Sequence, residues 1–318
     1  MAGYALRRLG AVVLVLLVMS LLVFAATHAL PSNTAQLILG QYSTPETQAA
    51  LEKKLGLDLP LPLQYWRWFA GILHGDLGQS LVMERPVAPM LWDALARSAV
   101  LALSAMLVVS TVGPALGVLA AVRAGRWPDH LATVFTYVGI AVPEFYWGLV
   151  LILVFGSTFH LLPTSGAADM SEGLGSFLAH LVLPVVTLTL TLLAHVSRLT
   201  RSSMLEALDS NYVKAARARG VPERVVVVRH ALRNALLPTI TVLAQDFGFL
   251  IGGIVAVEAI FAYPGLGRLL IFSLERQDLP LMQASILILT AVYCLANLGA
   301  DLLYGVANPR IRYGGGVG

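Results

Sequence analysis

The chain has 318 residues, 57% of them hydrophobic and only 12% charged, with a mean hydropathy of +0.77. A soluble domain carries about 25% charged residues, so this composition excludes one and requires an integral membrane protein. The net charge of +3 carries no nucleic-acid signal, because the basic residues are needed for topology, and the lone Cys294 precludes an intrachain disulfide framework.

A helix needs about 20 apolar residues to cross a bilayer. Runs of that length predict six spans, near 9–30, 98–122, 132–158, 177–198, 237–259 and 282–306. They divide the chain into an N-terminal end with its first span (1–30), a long loop (31–97) and a transmembrane core (98–318). The first run follows Arg7-Arg8 and ends in Ala-Ala-Thr-His-Ala. Its apolar core exceeds the 7–15 residues of a secretory signal, so a retained anchor is expected. No internal repeat of 20–50 residues is visible.

The long loop contains its own structure. Thr44-Pro45-Glu46 reads as a helix start, with a cap, a proline in the first turn and an acid near the positive end of the dipole. That helix is expected to run to Leu55 and stop at Gly56. Pro60 to Phe69 is an amphipathic aromatic stretch suited to a membrane interface.

Between the fourth and fifth spans lies a basic, helix-competent segment, 206–236. Arg198, Arg201, Lys214, Arg217, Arg219, Arg224, Arg229 and Arg233 lie in or just before it. Asp209 or Ser210 can cap a short helix, the alanines at 215, 216 and 218 favour it, and Gly220 with Pro222 stops it. A second helix up to Pro238 is expected. Beyond the fifth span, Pro264-Gly265 fits the central positions of a type II turn, with positive φ at the glycine.

Polar residues inside the spans are costly and face a bundle interior or a wet cavity. Asp246 sits in mid-span, with Gln245, Gly248, Phe249 and Gly252 on one arc beside it. It either lines a pathway or is satisfied by a neighbouring helix. Gly248-x-x-x-Gly252 suits close helix contact. Glu144 follows Pro143 in the third span and is a second pathway candidate. Asp301 in the last span is read as a structural hydrogen-bonding residue, and His195 as an interface histidine rather than a ligand.

Lysine and arginine set orientation. With the N terminus inside, the inner segments hold Arg7, Arg8, Arg123, Arg126, the eight residues above, Arg310 and Arg312. The outer segments hold Lys53, Lys54, Arg67, Arg85, Arg97, Arg268 and Arg276, mostly in the long loop, where the rule has little force. Both termini are therefore expected in the cytoplasm.

Lys214-Ala215-Ala216 with Gly220 resembles the cytoplasmic coupling motif of ABC importer permeases, with lysine where the general pattern has glutamate. Tyr212 to Gly220 and His230 to Pro238 resemble the dipeptide/oligopeptide/nickel branch of that family. Asp76-Leu77-Gly78-Gln79-Ser80, Gln64-Tyr65, Val257 to Gly267 with Glu258, Pro264 and Gly265, Asn297 with Asp301 and Tyr304, and Asn308-Pro309-Arg310-Ile311-Arg312 extend the resemblance to nearly the whole chain. Leu30-Pro31-Ser32-Asn33 departs from the family's usual Pro-Gly-Asp-Pro.

The resemblance implies an all-α membrane protein, with six helices of the type I ABC importer permease fold, short cytoplasmic coupling helices and a long extracytoplasmic loop. It implies ATPase coupling through Tyr212, Ala215, Ala216, Arg219 and Gly220. The implied partners are a second homologous permease in a heterodimer, two ATP-binding subunits, an extracytoplasmic substrate-binding protein and membrane lipid, but no nucleic acid. ATP and Mg would sit on the ATPase subunits, with no cofactor or metal on this chain. The cargo would be peptides or related small solutes, with nickel or other metal chelates, or glutathione, as alternatives. The long loop would be either a lid over helix ends or a docking surface for the binding protein.

Gly-x-x-x-x-Gly-Lys-Ser/Thr, His-Glu-x-x-His and Gly-x-Ser-x-Gly are all absent from the sequence. No phosphate loop, zincin site or serine nucleophile is therefore indicated, and a membrane-embedded enzyme is disfavoured. An ion-coupled secondary transporter usually shows repeats of spans, and none is seen.

Overall fold

A computed structural model describes residues 2–29, 44–49 and 58–307. Most of them are helical. Among the described residues there is no strand, only an isolated antiparallel bridge between Gln79 and Pro86. This follows from the solvent. Lipid offers no hydrogen-bond partners, so a spanning backbone must satisfy itself, and a helix does so within one segment.

The helices are α1 (Ala2–Ala29), α2 (Leu61–Leu73), α3 (Val87–Val122), α4 (Trp127–Ala141), α5 (Glu144–Leu151), α6 (Leu174–Asp209), α7 (Asn211–Ala218), α8 (Glu223–Ile260), α9 (Leu266–Glu275) and α10 (Leu279–Ala307). Among the described residues five are long and apolar enough to cross a membrane: α1, α3, α6, α8 and α10. The expected third span is broken. α4 and the stretch from Glu144 to Thr158 meet at 106°. The cause is Pro143, which has no N–H and holds Val142 extended at φ −99°, ψ 125°. After α5 the chain continues as a π-helical turn, Ile152–Thr158.

The described residues fall into two compact units, one built mainly on Ser98–Pro264, the other on Arg7–Arg97 and Gly265–Cys294. In the first, Leu101, Val109, Leu188, Val196, Leu250, Val257 and Phe261 belong to one apolar core drawn from α3, α6 and α8. α6 is its centre, contacting α4, α5 and α8. Helices in lipid gain little from hydrophobic burial against one another, so close approach matters more. Glycines supply it. A Cβ at Gly117 would lie 2.6 Å from the Ser197 carbonyl oxygen and from Thr200 Cβ, and one at Gly139 would lie 2.8 Å from Ala194 Cβ.

In the second unit, Val87, Leu91, Ala94, Leu266, Leu281 and Ala284 form the core. α2 lies on α1: Tyr65 Oη and Ser20 Oγ are 2.8 Å apart, and His28 Nε2 is 3.0 Å from Gln64 Oε1. Phe24 sits among Tyr65, Trp68 and His28. The aromatic stretch is thus packed on one face, while Trp66 stays exposed.

Several local expectations need correction. Pro238 does not end a helix. α8 runs through it, after a π-helical turn at Val226–Ala231, as do α3 through Pro114 and α6 through Pro184. Gly265 does not take positive φ; it is extended at φ −99° and precedes α9. The left-handed residue is Ala262 (φ 47°), where α8 closes with Tyr263 N–H on the Glu258 carbonyl and Ala262 N–H on that of Ala259. This is a Schellman ending. Thr44 does cap its helix, its Oγ1 accepting from Thr47 N–H at 3.2 Å. The expected stop at Leu55-Gly56 lies outside the described residues, as do Leu30 to Asn33 and the terminal Asn308 to Arg312.

The glycine contacts generate a prediction. Gly117→Ala should destabilise the protein by about 1–3 kcal/mol, because the obstructing atoms include rigid backbone of α6. Gly10→Ala, with nothing within 4 Å of the new methyl, should be neutral. Thermal denaturation of the purified protein in detergent reads both, and equal midpoints would remove the close α3–α6 approach.

Candidate functional site

The basic segment folds as expected in outline and differs in detail. α7 is short and amphipathic. Val213 and Ala216 are its buried face, packed with Met204 and Ala207 of α6, Ala121 of α3, and Val226, Ala231 and Ala235 of α8. Tyr212, Lys214, Ala215, Arg217 and Arg219 are exposed. Ala216 is fully buried within the chain and is not an outward contact residue; its small side chain lets α7 sit close on α6 and α8.

Ser210 occupies the N-cap position of α7, but its hydroxyl donates back to the Ala207 carbonyl instead of accepting from the helix. Asp209 pairs with Lys214 at 2.8 Å on the surface. At the other end Gly220 takes φ +77°. Its N–H donates to Arg217 O, and Val221 N–H reaches Ala216 O. Arg217, in the last turn of α7, forks onto Glu223 at 2.6 and 3.0 Å. This pairing favours the charged guanidinium and raises its already high pKa.

Three polar links stand at or near the basic end of this unit. Arg201 grips Asp129 with two hydrogen bonds, Nε at 2.5 Å and Nη2 at 2.9 Å, and Gly125 N–H donates to the same carboxylate. Thr200 Oγ1 and Thr239 Oγ1 lie 3.0 Å apart between α6 and α8. Deeper along the same seam, His195 Nδ1 is 3.3 Å from Asp246 Oδ1. Asp246 is therefore buried and paired, while His195 is half-exposed. The second carboxylate oxygen, Asp246 Oδ2, is buried without a partner among the described residues.

The expected arc on α8 splits. Gln245, Phe249 and Gly252 are exposed, whereas Gly248 is buried with Asn297 against it. Gly252 has nothing within 4 Å. The second close-contact glycine is Gly253, on which the Glu144 carboxylate rests. Glu258 is fully buried and accepts from Ser98 Oγ at 2.5 Å. Pro264 and Gly265 form the link between α8 and α9. Asp301 is half-buried and not free of polar partners.

The Asp-Leu-Gly-Gln-Ser run is a structural staple in the second unit. Ser80 Oγ donates to Asp278 Oδ2 at 2.5 Å, and the N–H groups of Leu81 and Val82 donate to the same carboxylate. Gly78 is left-handed at φ +79° and its N–H meets Asp76 Oδ1. Asp278, fully buried before α10, was not singled out from sequence, nor were Asp129, Ser98 and Thr239. A helix-starting aspartate before Leu279-Pro280 was a readable signal for Asp278. The others depend on which helices become neighbours.

Comparison with known proteins decides the family. Residues 113–313 match the model of the binding-protein-dependent transport system inner membrane component, and residues 1–102 match that of its N-terminal region. The chain belongs to this family. Similar relatives include the glutathione transport system permease protein GsiC of Salmonella paratyphi A and that of Escherichia coli (strain K12). Each is 39% identical, over 98% of this chain and 100% of the relative. A solved structure described as an amino acid ABC transporter with histidines shares the fold, with a TM-score of 0.51 and 17% identity over 70% of this chain and 94% of that one. The protein is thus the inner-membrane permease component of an ABC importer, a multi-pass transport subunit of a non-catalytic class. The secondary-transporter and enzyme readings fall away.

The permease's buried staple is testable. Asp278→Ala removes the acceptor for one hydroxyl and two N–H groups, and should cost about 2–4 kcal/mol. Ser80→Ala removes one donor and should cost about 1–2 kcal/mol. Thermal denaturation should rank them in that order; the reverse ranking would mean that the carboxylate is not the hub.

Proposed function

We propose that this permease forms the substrate path of an ATP-driven importer for peptides or related small solutes, with α7 as its coupling helix. The observation that carries this is the seating of α7. Val213 and Ala216 fix it to the ends of α6 and α8, while Tyr212, Ala215 and Arg219 point away from the chain. A push on α7 from an ATPase subunit would therefore reach two spans at once. Gly220 ends the helix so that the chain can turn directly into α8.

In this reading the chain crosses the membrane six times, with the bent pair of α4 and Glu144–Thr158 counted as one span. Both termini and 199–236 lie in the cytoplasm, and 31–97 lies outside. The charge distribution supports that orientation. The core permease region is 98–318, preceded by the anchor 1–30 and the outer loop 31–97. The partners are a second, related permease, two ATPase subunits that carry ATP and Mg, and an extracytoplasmic binding protein. This chain brings no cofactor of its own. Glutathione, a small peptide-like solute, is the specific cargo favoured by the names of the relatives.

Two measurements test the proposal. Gly220→Val places a β-branched residue at φ +77°, a strain of about 1–3 kcal/mol. Uptake by the reconstituted importer should fall at least tenfold, or the ATPases should dissociate, while the chain still inserts. Full uptake with normal substrate-stimulated ATPase activity would defeat the assignment of α7. In a Cys294→Ser background, a cysteine at Ser210 should resist an impermeant thiol reagent added outside, and cysteines across 58–85 should react. The opposite pattern would invert the topology.

A further inference from the structure

Two ionisable side chains rest on one stripe of α8. Asp246 and Gly253 are seven residues apart, so they share a face and are separated by about 10 Å along the axis. His195 of α6 approaches Asp246, and the carboxylate of Glu144, at the start of α5, lies on Gly253. The absence of a Cβ at Gly253 is what makes room for that carboxylate. Beside this stripe Gln245, Phe249 and Gly252 are exposed.

Neither pole is fully satisfied among the described residues. Glu144 is half-buried and makes no hydrogen bond or ion pair among the described residues. His195 spends Nδ1 on Asp246 and leaves Nε2 without a protein partner among them. An imidazolium there would donate from both nitrogens, to Asp246 and to an incoming carboxylate. Arg198, three residues further along α6, is exposed and adds to the positive pole. Buried polar atoms without partners also occur on all three helices concerned: Trp147 Nε1 on α5, Thr191 Oγ1 on α6 and Asp246 Oδ2 on α8. Ionisable groups left this way within a span are expensive against lipid, so the surface they form faces water, solute or protein.

We infer that Glu144 and His195 are the two poles of a station for a zwitterionic solute of about tripeptide length, its ammonium on Glu144 and its carboxylate on His195. An extended chain spans about 3.3–3.6 Å per residue, so three residues reach about 10 Å, comparable with the axial spacing of Asp246 and Gly253 along α8. Phe249 lies between the two positions along α8 and offers an apolar wall to the middle of the solute. Asp246 is a positioning residue that holds the imidazole. The inference rests on the peptide reading above and names the size and charge pattern that the path accepts.

Equilibrium dialysis of the assembled importer in detergent, without its binding protein, tests the station directly. The probes are radiolabelled tri-alanine, N-acetyl-tri-alanine and tri-alanine amide. In the wild type each block should weaken binding about tenfold or more. Glu144→Gln should erase the penalty of acetylation and keep that of amidation, and His195→Gln should do the reverse. Each comparison is a ratio within one variant, so the amount of complex cancels. Gly253→Ala, which displaces the Glu144 carboxylate without removing its charge, should mimic Glu144→Gln and serves if that variant fails to assemble. No tri-alanine binding at millimolar concentration, or penalties that ignore the variants, would overturn the station. Uptake of tripeptides by wild-type proteoliposomes with the binding protein is measured alongside. Its failure would sink the peptide reading itself, whereas uptake without the crossed penalties would sink the station alone.

Discussion

Within lipid two helices gain little by burying apolar surface against each other, because the tails are as apolar as the side chains they replace. The seam between α6 and α8 therefore depends on shape and on a few polar links. Leu188, Val196, Leu250 and Val257 belong to the core that both helices share, and Thr200 meets Thr239 across the seam. His195 and Asp246 join the helices deeper in, and Val213 and Ala216 of α7 are seated on the ends of both. Remove the seam and α7 would have no common footing, and the stripe that carries Glu144 and His195 would lose its register.

The breaks are as informative as the packing. Pro143 turns the chain by 106° between α4 and α5, which frees Glu144 from the direction of α4 and lets it reach Gly253 on α8. π-helical turns follow at Ile152–Thr158 and Val226–Ala231. Such turns loosen the regular hydrogen-bond ladder and often mark functional places. The second is itself part of the seat of α7, since Val226 and Ala231 pack with Val213 and Ala216.

The one-dimensional signals were largely legible. Apolar runs predicted five helices long and apolar enough to span, while the third expected span is broken at Pro143, and Gly220 ended α7 in the left-handed conformation that its position after an alanine-rich helix implied. Errors came where local preference competes with environment. Pro238 looks like a stop, yet a helix in a bilayer continues through proline, because neighbouring groups re-satisfy the freed backbone. Pro264-Gly265 looks like a type II turn, yet α8 closes one step earlier at Ala262, leaving Gly265 extended. Facing was less legible still. Ala215 and Ala216 are adjacent small residues, and only the packing of α7 shows that one is exposed and the other buried. Asp129 and Arg201 are 72 residues apart, and nothing local marks them as partners.

That last pair shows how the polar links divide their work. Arg201 lies six residues beyond His195 on α6, under two helical turns, and ties the same helix to the start of α4 through Asp129. Its carboxylate also accepts from Gly125, so the turn before α4 is held as well. Around α6, then, the start of α4 is fixed by charge, α8 by hydroxyl and imidazole contacts, and α7 by apolar contact. Displacing α7 would carry α6 and α8 with it and would pull on the start of α4. The joint at Pro143 is where the chain changes direction. The piece beyond that joint begins with Glu144, a carboxylate with no polar partner among the described residues, so the bent span bears one pole of the inferred station and α6 bears the other.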